Sequence, residues 1–278
     1  MPITLDACAH TDSGRLRRKN EDTVFQKIVA MPGEDDVGLF IVADGVGGRL
    51  AGKAASYWAV ETVKNALADL IDHRDPRATN RFDQETILNL QAAIDEGSDP
   101  ENLKHRVEEA VHNANKVVRE YARKRPAEAR DAGSTLSLAM VQGHHVTVAN
   151  VGDSRVYILR DGRLHQITTD HSLVQRLIDT GRIKPEHRFT HPRRNLIYRS
   201  LGASEHVESD IFSLQVVADD HLLLCSDGLW EMVRDPDVIT QIIQTAPTVE
   251  AACERLVTAA NAAGGEDNIG VVLVRVEE

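Results

Sequence analysis

Four apolar runs in this chain stop or start at an aspartate beside glycine or asparagine: Asp44-Gly45, Gly152-Asp153, Asp227-Gly228 and Asp267-Asn268. Val37–Ala43 leads into the first, residues 146–151 into the second and His221–Cys225 into the third, while the fourth opens residues 269–276. Short continuous apolar runs are the expected look of strands buried in a packed sheet. Aspartate and glycine are ordinary turn residues, so any one junction alone reads as a turn. Four together constrain the fold further. Strands of a packed sheet can deliver their end residues to one place, and four carboxylates cannot stay ionised there without cations.

Between these junctions the pattern turns helical. From Ala51 onward, Ala55, Trp58, Thr62, Val63, Ala66, Leu67 and Leu70 fall on one face. Over residues 98–123, Leu103, Val107, Ala110, Val111, Ala114, Val118 and Tyr121 keep a 3.6-residue period, with Asp99-Pro100 as the start signal. Residues 73–100 are polar and broken by Pro76 and Gly97-Ser98, with Ile87, Leu90 and Ile94 outlining a short amphipathic helix. This stretch reads as a surface insertion or as a docking surface for a partner. Residues 134–141 alternate, residues 156–159 form a strand, and Asp161-Gly162 is the favoured pair for a type I′ hairpin turn. An irregular charged stretch spans 168–201, and helical spacing returns after Gly228 as far as Asn261. Strands at both ends and in the middle, around two long helices, do not give the alternation of a parallel sheet. An α+β layered sandwich of antiparallel sheets fits better.

The net charge is −11, an acidic surface that repels a phosphate backbone, so nucleic acid is not expected as a partner. Aromatics make up only 4% of the chain, which leaves an aliphatic core. The three cysteines, Cys8, Cys225 and Cys253, are far apart and form no CxxC pair, which fits reduced, buried thiols rather than a disulfide framework or a zinc site. No apolar stretch reaches membrane-spanning length and the N-terminus lacks a signal-peptide core, so a cytoplasmic protein without membrane association is expected.

Asn20-Glu21-Asp22 adds two more carboxylates directly after the basic run Arg15 to Lys19. Alone it reads as a solvated charged turn. Oxygen donors without a His/Cys cluster favour Mg²⁺, Mn²⁺ or Ca²⁺ over zinc, and the ligand spacing of an EF-hand is absent. Carboxylates with a nearby arginine are what two-metal phosphoryl hydrolysis needs: the ions lower the pKa of water, and the arginine holds phosphate oxygens.

Taken in order, Asp12-Ser-Gly14, residues 17–22, residues 43–48, Gly133-Ser134-Thr135, residues 150–155, Ser226-Asp227-Gly228-Leu229 and Asp267-Asn268-Ile269 resemble the successive motifs of metal-dependent protein phosphatases of the protein phosphatase 2C type, bacterial branch. The resemblance covers residues 12–276. It implies a four-layer α/β/β/α sandwich of two antiparallel sheets flanked by helices, with residues 1–278 forming a single phosphatase domain and a flap at about 171–201. It also implies two catalytic Mn²⁺ or Mg²⁺ ions. Asp44 would bridge them, Asp227 and Asp267 would complete the first, and Glu21 with the Gly45 carbonyl would help hold the second. Asp22 would orient a water, and Asp153 with Asp227 would hold the third ion often seen in this branch. Arg17 would bind the substrate phosphate, and metal-bound hydroxide would attack in line without a phosphoenzyme. Phosphoserine and phosphothreonine proteins are the implied substrates, with a cognate Ser/Thr kinase as opponent and a monomer as the working unit.

Val46 departs from eukaryotic members, which carry there a histidine proposed as general acid. His171, in Thr169-Asp-His-Ser172, resembles a segment near the flap and reads as structural or as functional. Arg182, Lys184, Arg188, Arg193 and Arg194 read as attractants for phosphorylated substrates or as a solvated loop. Three rival functions use the same residues: a pseudophosphatase that only docks partners, a regulatory phosphatase whose metals a partner organises, and a metal-dependent nuclease. A pseudophosphatase is marked by a lost metal aspartate, and every core carboxylate is present here. The acidic balance speaks against a nuclease.

Overall fold

Alternation inside the apolar runs decides the layering. In the run 37–43, Leu39, Ile41 and Ala43 face a helical layer, while Phe40 and Val42 face a second sheet. A computed structural model describes residues 2–30, 33–47, 51–71, 100–129 and 131–278. In chain order the elements begin with β1 (Thr4–Asp12), β2 (Thr23–Val29), β3 (Val37–Ala43), β4 (Gly45–Val46), α1 (Ala51–Ala66) and α2 (Ala68–Ile71). They continue with α3 (Pro100–Lys124), α4 (Pro126–Ala129), β5 (Gly133–Ser134), β6 (Leu136–Gln142), β7 (His145–Val151), β8 (Arg155–Arg160) and β9 (Arg163–Gln166). The last are α5 (Leu173–Asp179), a 3₁₀ turn (Pro185–Thr190), β10 (Asp210–Gln215), β11 (His221–Cys225), α6 (Asp227–Trp230), α7 (Pro236–Thr245), α8 (Val249–Ala262) and β12 (Ile269–Glu277).

Two five-stranded sheets form, in the orders β1-β12-β11-β8-β9 and β10-β7-β6-β3-β2, and a two-stranded β4-β5 pair joins them. Every pair among these strands is antiparallel. Phe40, Val42, Val148, Leu222, Leu224, Val272 and Val274 fill the space between the sheets. α1 and α3 cover the outer face of β3 and β6, and α6, α7 and α8 cover that of β11 and β12. This is the α/β/β/α sandwich expected from the resemblance. Each sheet is buried on both faces, which is why its central strands read as continuous apolar runs. β6 accordingly does not alternate: it is buried from Leu136 to Val141, because a sheet lies on one side and helices on the other.

Both long helices form. In α3, six of the seven positions on the expected face are buried, and Tyr121 packs against them half-buried. In α1 the expected stripe is displaced. Ala51, Gly52, Ala55, Ser56, Ala59, Val60 and Val63 are buried, whereas Trp58 is 43% exposed. Small side chains let this helix lie close to the sheet, and an indole on that face would hold it off. The Asp161-Gly162 hairpin turn forms as expected, with positive φ at both residues. The stretch 168–201 is less irregular than its composition implies, since it contains α5 and the 3₁₀ turn. Ser172 caps α5, its hydroxyl accepting from the Gln175 N–H. The expected short helix around Ile87, Leu90 and Ile94 lies outside the described residues, as do Ser98 and Asp99. No helix among the described residues is long and apolar enough to cross a membrane.

Candidate metal and active site

The four aspartate junctions meet at one end of the two sheets. Asp44 follows β3, Asp153 follows β7, Asp227 opens α6 directly after β11, and Asp267 stands two residues before β12. Asp22 precedes β2 and joins them, its Oδ2 accepting from the Ser226 hydroxyl at 2.6 Å. Asp22 and Asp153 are buried, while Glu21, Asp44, Asp227 and Asp267 are half-buried, with an edge left open.

This grouping shifts the carboxyls of Glu21, Asp22, Asp44, Asp153 and Asp227 upward. Burial and the charge of Asp227 push Asp22 up to about 7, although the Ser226 bond opposes the shift. Burial, with Asp170 nearby, takes Asp153 to about 7 as well. Asp44 lies well above the ordinary carboxylate range because it is enclosed and faces Asp22, Asp153 and Asp267. Asp227 is raised for the same reasons, by burial and then by Asp44, Asp153 and Asp267. Glu21 is raised by burial, against the pull of Arg17. Like charges enclosed together disfavour ionisation, and a cation reverses that sign.

Three carboxyl oxygens here, Glu21 Oε1, Asp22 Oδ1 and Asp227 Oδ1, are buried without a hydrogen-bond partner. Buried polar atoms are nearly always paired, so three orphans in one cluster point to a missing partner. All the donors are oxygens, which suits Mn²⁺ or Mg²⁺. The backbone makes room as well: a Cβ on Gly45 would lie 2.1 Å from the Gly52 carbonyl oxygen, and one on Gly52 would lie 2.9 Å from Glu21 Oε1. Only glycine permits the α1 N-terminus to approach the Glu21 carboxyl and the Gly45 carbonyl this closely. The carboxylates do not yet close into a cage, since no three His, Cys, Asp or Glu side chains among the described residues stand as a finished ligand set. Arg17 Nη2 donates to Asp267 Oδ2 at 2.6 Å.

Arg17 is 53% exposed and lines a cavity of about 70 Å³ with Arg194, Asp227, Glu231, Glu266 and Asp267. The basic residues of 171–201 therefore divide. Arg194 reaches this cavity and pairs with Glu231 and Glu266 at 3.4 and 3.6 Å. Arg188 turns inward to Asp170 and Gln175 and serves the fold. Arg182, Lys184 and Arg193 stay exposed. His171 is buried: its Nδ1 accepts from the Gly152 N–H at 3.0 Å and its Nε2 faces Asp210 at 3.1 Å. Val46, 40% exposed, has no proton to give.

Several residues that hold the site carried no role in the sequence reading. Asn268 accepts from the Glu21 N–H at 2.8 Å and donates to the Ser13 and Lys19 carbonyls, pinning the loop that bears Arg17 and Glu21. Lys53 donates to the Asp22 carbonyl at 2.6 Å. Ser226 stood in a quoted motif, but its bond to Asp22 spans 204 positions and leaves no local signal.

The family model described as Protein phosphatase 2C matches residues 18–262. A curated relative, the serine/threonine phosphatase stp of Listeria monocytogenes, is 36% identical over 95% of this chain and 93% of its own length. Among solved structures, the S. agalactiae serine/threonine phosphatase superposes with a TM-score of 0.81 at 30% identity, covering 99% of this chain and 100% of that one. The catalytic domain of the phosphatase PstP, solved with two manganese ions, gives 0.76 at 32% identity, again over 99% and 100%.

Proposed function

The chain belongs to the protein phosphatase 2C family, and from that premise we propose that it hydrolyses phosphoserine and phosphothreonine in proteins with two Mn²⁺ or Mg²⁺ ions. The observation that carries the reading is the set of three orphaned oxygens, on Glu21, Asp22 and Asp227, inside a cluster of carboxyls raised by one another. Arg17 and Lys53 offset only part of this charge, and divalent cations would supply the rest. Asp44, Asp227 and Asp267 would hold the first ion. Asp44, Glu21 and the Gly45 carbonyl would hold the second, and Asp153 with Asp227 would serve a third. When bound, such ions act as Lewis acids and lower the pKa of water.

The remaining work falls to side chains. Arg17 stands at the mouth of the cavity beside Asp267. The Arg17 guanidinium would bind the substrate phosphate there, where its fork suits two oxygens. Asp22, held by Ser226 and Asn20, orients water from behind the ligands. Neither Val46 nor the buried His171 supplies the leaving group with a proton. The whole chain acts as one catalytic unit, a cytoplasmic monomer whose phosphoprotein substrates come from a serine/threonine kinase.

The test is hydrolysis of p-nitrophenyl phosphate by wild type and Asp227→Asn, with Mn²⁺, with Mg²⁺ and after EDTA, followed by phosphopeptides. Metal-dependent turnover lost in the variant is expected. Turnover that survives both EDTA and the substitution would place the chemistry elsewhere.

A further inference from the structure

Beneath the aspartates, Thr135 uses every arm it has. Its N–H donates to the Asp44 carbonyl at 2.8 Å, and its Oγ1 accepts from the Asp44 N–H at 2.9 Å. The same Oγ1 shares a 2.7 Å hydrogen bond with the Ser154 hydroxyl. Its methyl carbon lies where Gly152 comes nearest: a Cβ on that glycine would stand 2.6 Å from Thr135 Cγ2. Gly152 and Ser154 flank Asp153, so one threonine grips the Asp44 loop with its backbone and hydroxyl, and both neighbours of Asp153 with its hydroxyl and methyl. Both hydroxyls are buried, with Thr135 0% and Ser154 1% exposed. On its other side Asp153 is tied to α6, since Trp230 Nε1 donates to the Asp153 carbonyl at 3.0 Å.

We propose that Thr135 and Ser154 are positioning residues whose hydroxyl pair sets the separation of Asp44 and Asp153, and thereby the affinity for the divalent ions these carboxylates hold. Neither hydroxyl is a ligand. The Asp44 main chain is clamped at both its N–H and its C=O, so its side chain leaves the sheet in one direction only. Through Ser154 the same clamp carries to Asp153. Groups that orient metal ligands in this way typically contribute about 10–100-fold in metal affinity. The proposal rests on the function proposed above.

The experiment is a Mn²⁺ titration read by loss of the free-ion electron paramagnetic resonance signal, on wild type, Thr135→Val, Thr135→Ser and Ser154→Ala, with circular dichroism and melting in EDTA alongside. Valine keeps the shape and removes the hydroxyl, and serine keeps the hydroxyl. Thr135→Val and Ser154→Ala are expected to bind Mn²⁺ about 10–100-fold more weakly, and Thr135→Ser close to wild type. A Thr135→Val protein that is folded and binds Mn²⁺ like wild type overturns the proposal, even if it melts lower, because a purely structural role moves melting and not affinity. If Thr135→Val does not fold, Ser154→Ala carries the same prediction, and unchanged affinity there overturns it. Wild type that binds no Mn²⁺ overturns this proposal together with the function beneath it. Wild type that binds beside variants that bind equally well overturns this one alone.

Discussion

Two sets of buried acids lie side by side in this molecule and are treated in opposite ways. Asp170 is 1% exposed and fully partnered by its own chain. It accepts from Arg155 Nε and Nη2 at 2.8 and 2.7 Å, from Arg188 and from Gln166. Arg155 in turn stacks 3.5 Å over the Trp230 ring and donates to the Tyr157 hydroxyl. Asp22 is as buried as Asp170, and Asp44 and Asp227 are half-buried beside it, yet their charged neighbours are mostly other acids. Burying an unpaired charge costs several kcal/mol, so a chain that can surround Asp170 with arginines does not leave acids unpaired by default. Where it does, the function proposed above brings the partner from outside. On that proposal, the pairing state of a buried acid separates a structural carboxylate from a metal-holding one, and burial alone does not.

The comparison can be broken most forcefully at Asp227. Asp227→Asn is expected to cut metal-dependent turnover by about 10³-fold, the rate equivalent of several kcal/mol of lost charge stabilisation. The same change is expected to leave the metal-free protein as stable as wild type or more so, because one of several repelling charges is gone. Turnover and denaturant melts in EDTA read the two sides. Asp170→Ala should do the reverse, lowering stability by about 3–5 kcal/mol because it strands buried Arg155. If urea unfolding finds Asp227→Asn the more destabilised of the two, the distinction drawn here is wrong.

Next in size is a pH effect on the metal-free protein. Burial pushes Asp22 and Asp153 up to about 7 in the folded protein, against about 3.8 for an unperturbed aspartate. Between those limits the folded state binds more protons than the unfolded one, so stability must fall as pH rises through the window. Melting temperature in EDTA should drop from about pH 5 to about pH 8, and Mn²⁺ should restore it at the upper end, where the carboxylates are free to ligate. A melting temperature that climbs with pH in EDTA would sink the idea. Arg17→Ala should weaken handling of phosphate more than of metal: KM for p-nitrophenyl phosphate rises while the Mn²⁺ titration stays near wild type. The smallest effect belongs to the exposed cations of the flap. Neutralising Arg182, Lys184 and Arg193 together should raise KM for phosphoproteins and leave kcat on small phosphate esters unchanged, as steady-state kinetics on both substrates would show.

Much of this was legible in the chain. The strands that end at Asp44, Asp153 and Asp227 are short apolar runs broken by turn residues, a local signal that survives without any partner. α3 was legible because its stripe of Leu and Val is wide and regular. The face of α1 was misjudged because it buries Ala, Gly and Ser, which carry little hydropathy, and leaves Trp58 outside. Arg188 carries no local mark that separates it from the other loop cations, because its partner Asp170 lies 18 positions away.

The sequence by itself determined the family and the antiparallel sandwich, because the ordered motifs and apolar runs that carry them rest on residue type within a few positions. Tertiary structure alone decided which acids are paired and which are orphaned. It set Arg17 on Asp267 across 250 positions, Ser226 under Asp22 and Thr135 between Asp44 and Asp153. The reason is physical: the charge state of a buried carboxyl depends on what packs within a few ångströms of it, and packing joins residues whose separation along the chain carries no trace of the contact.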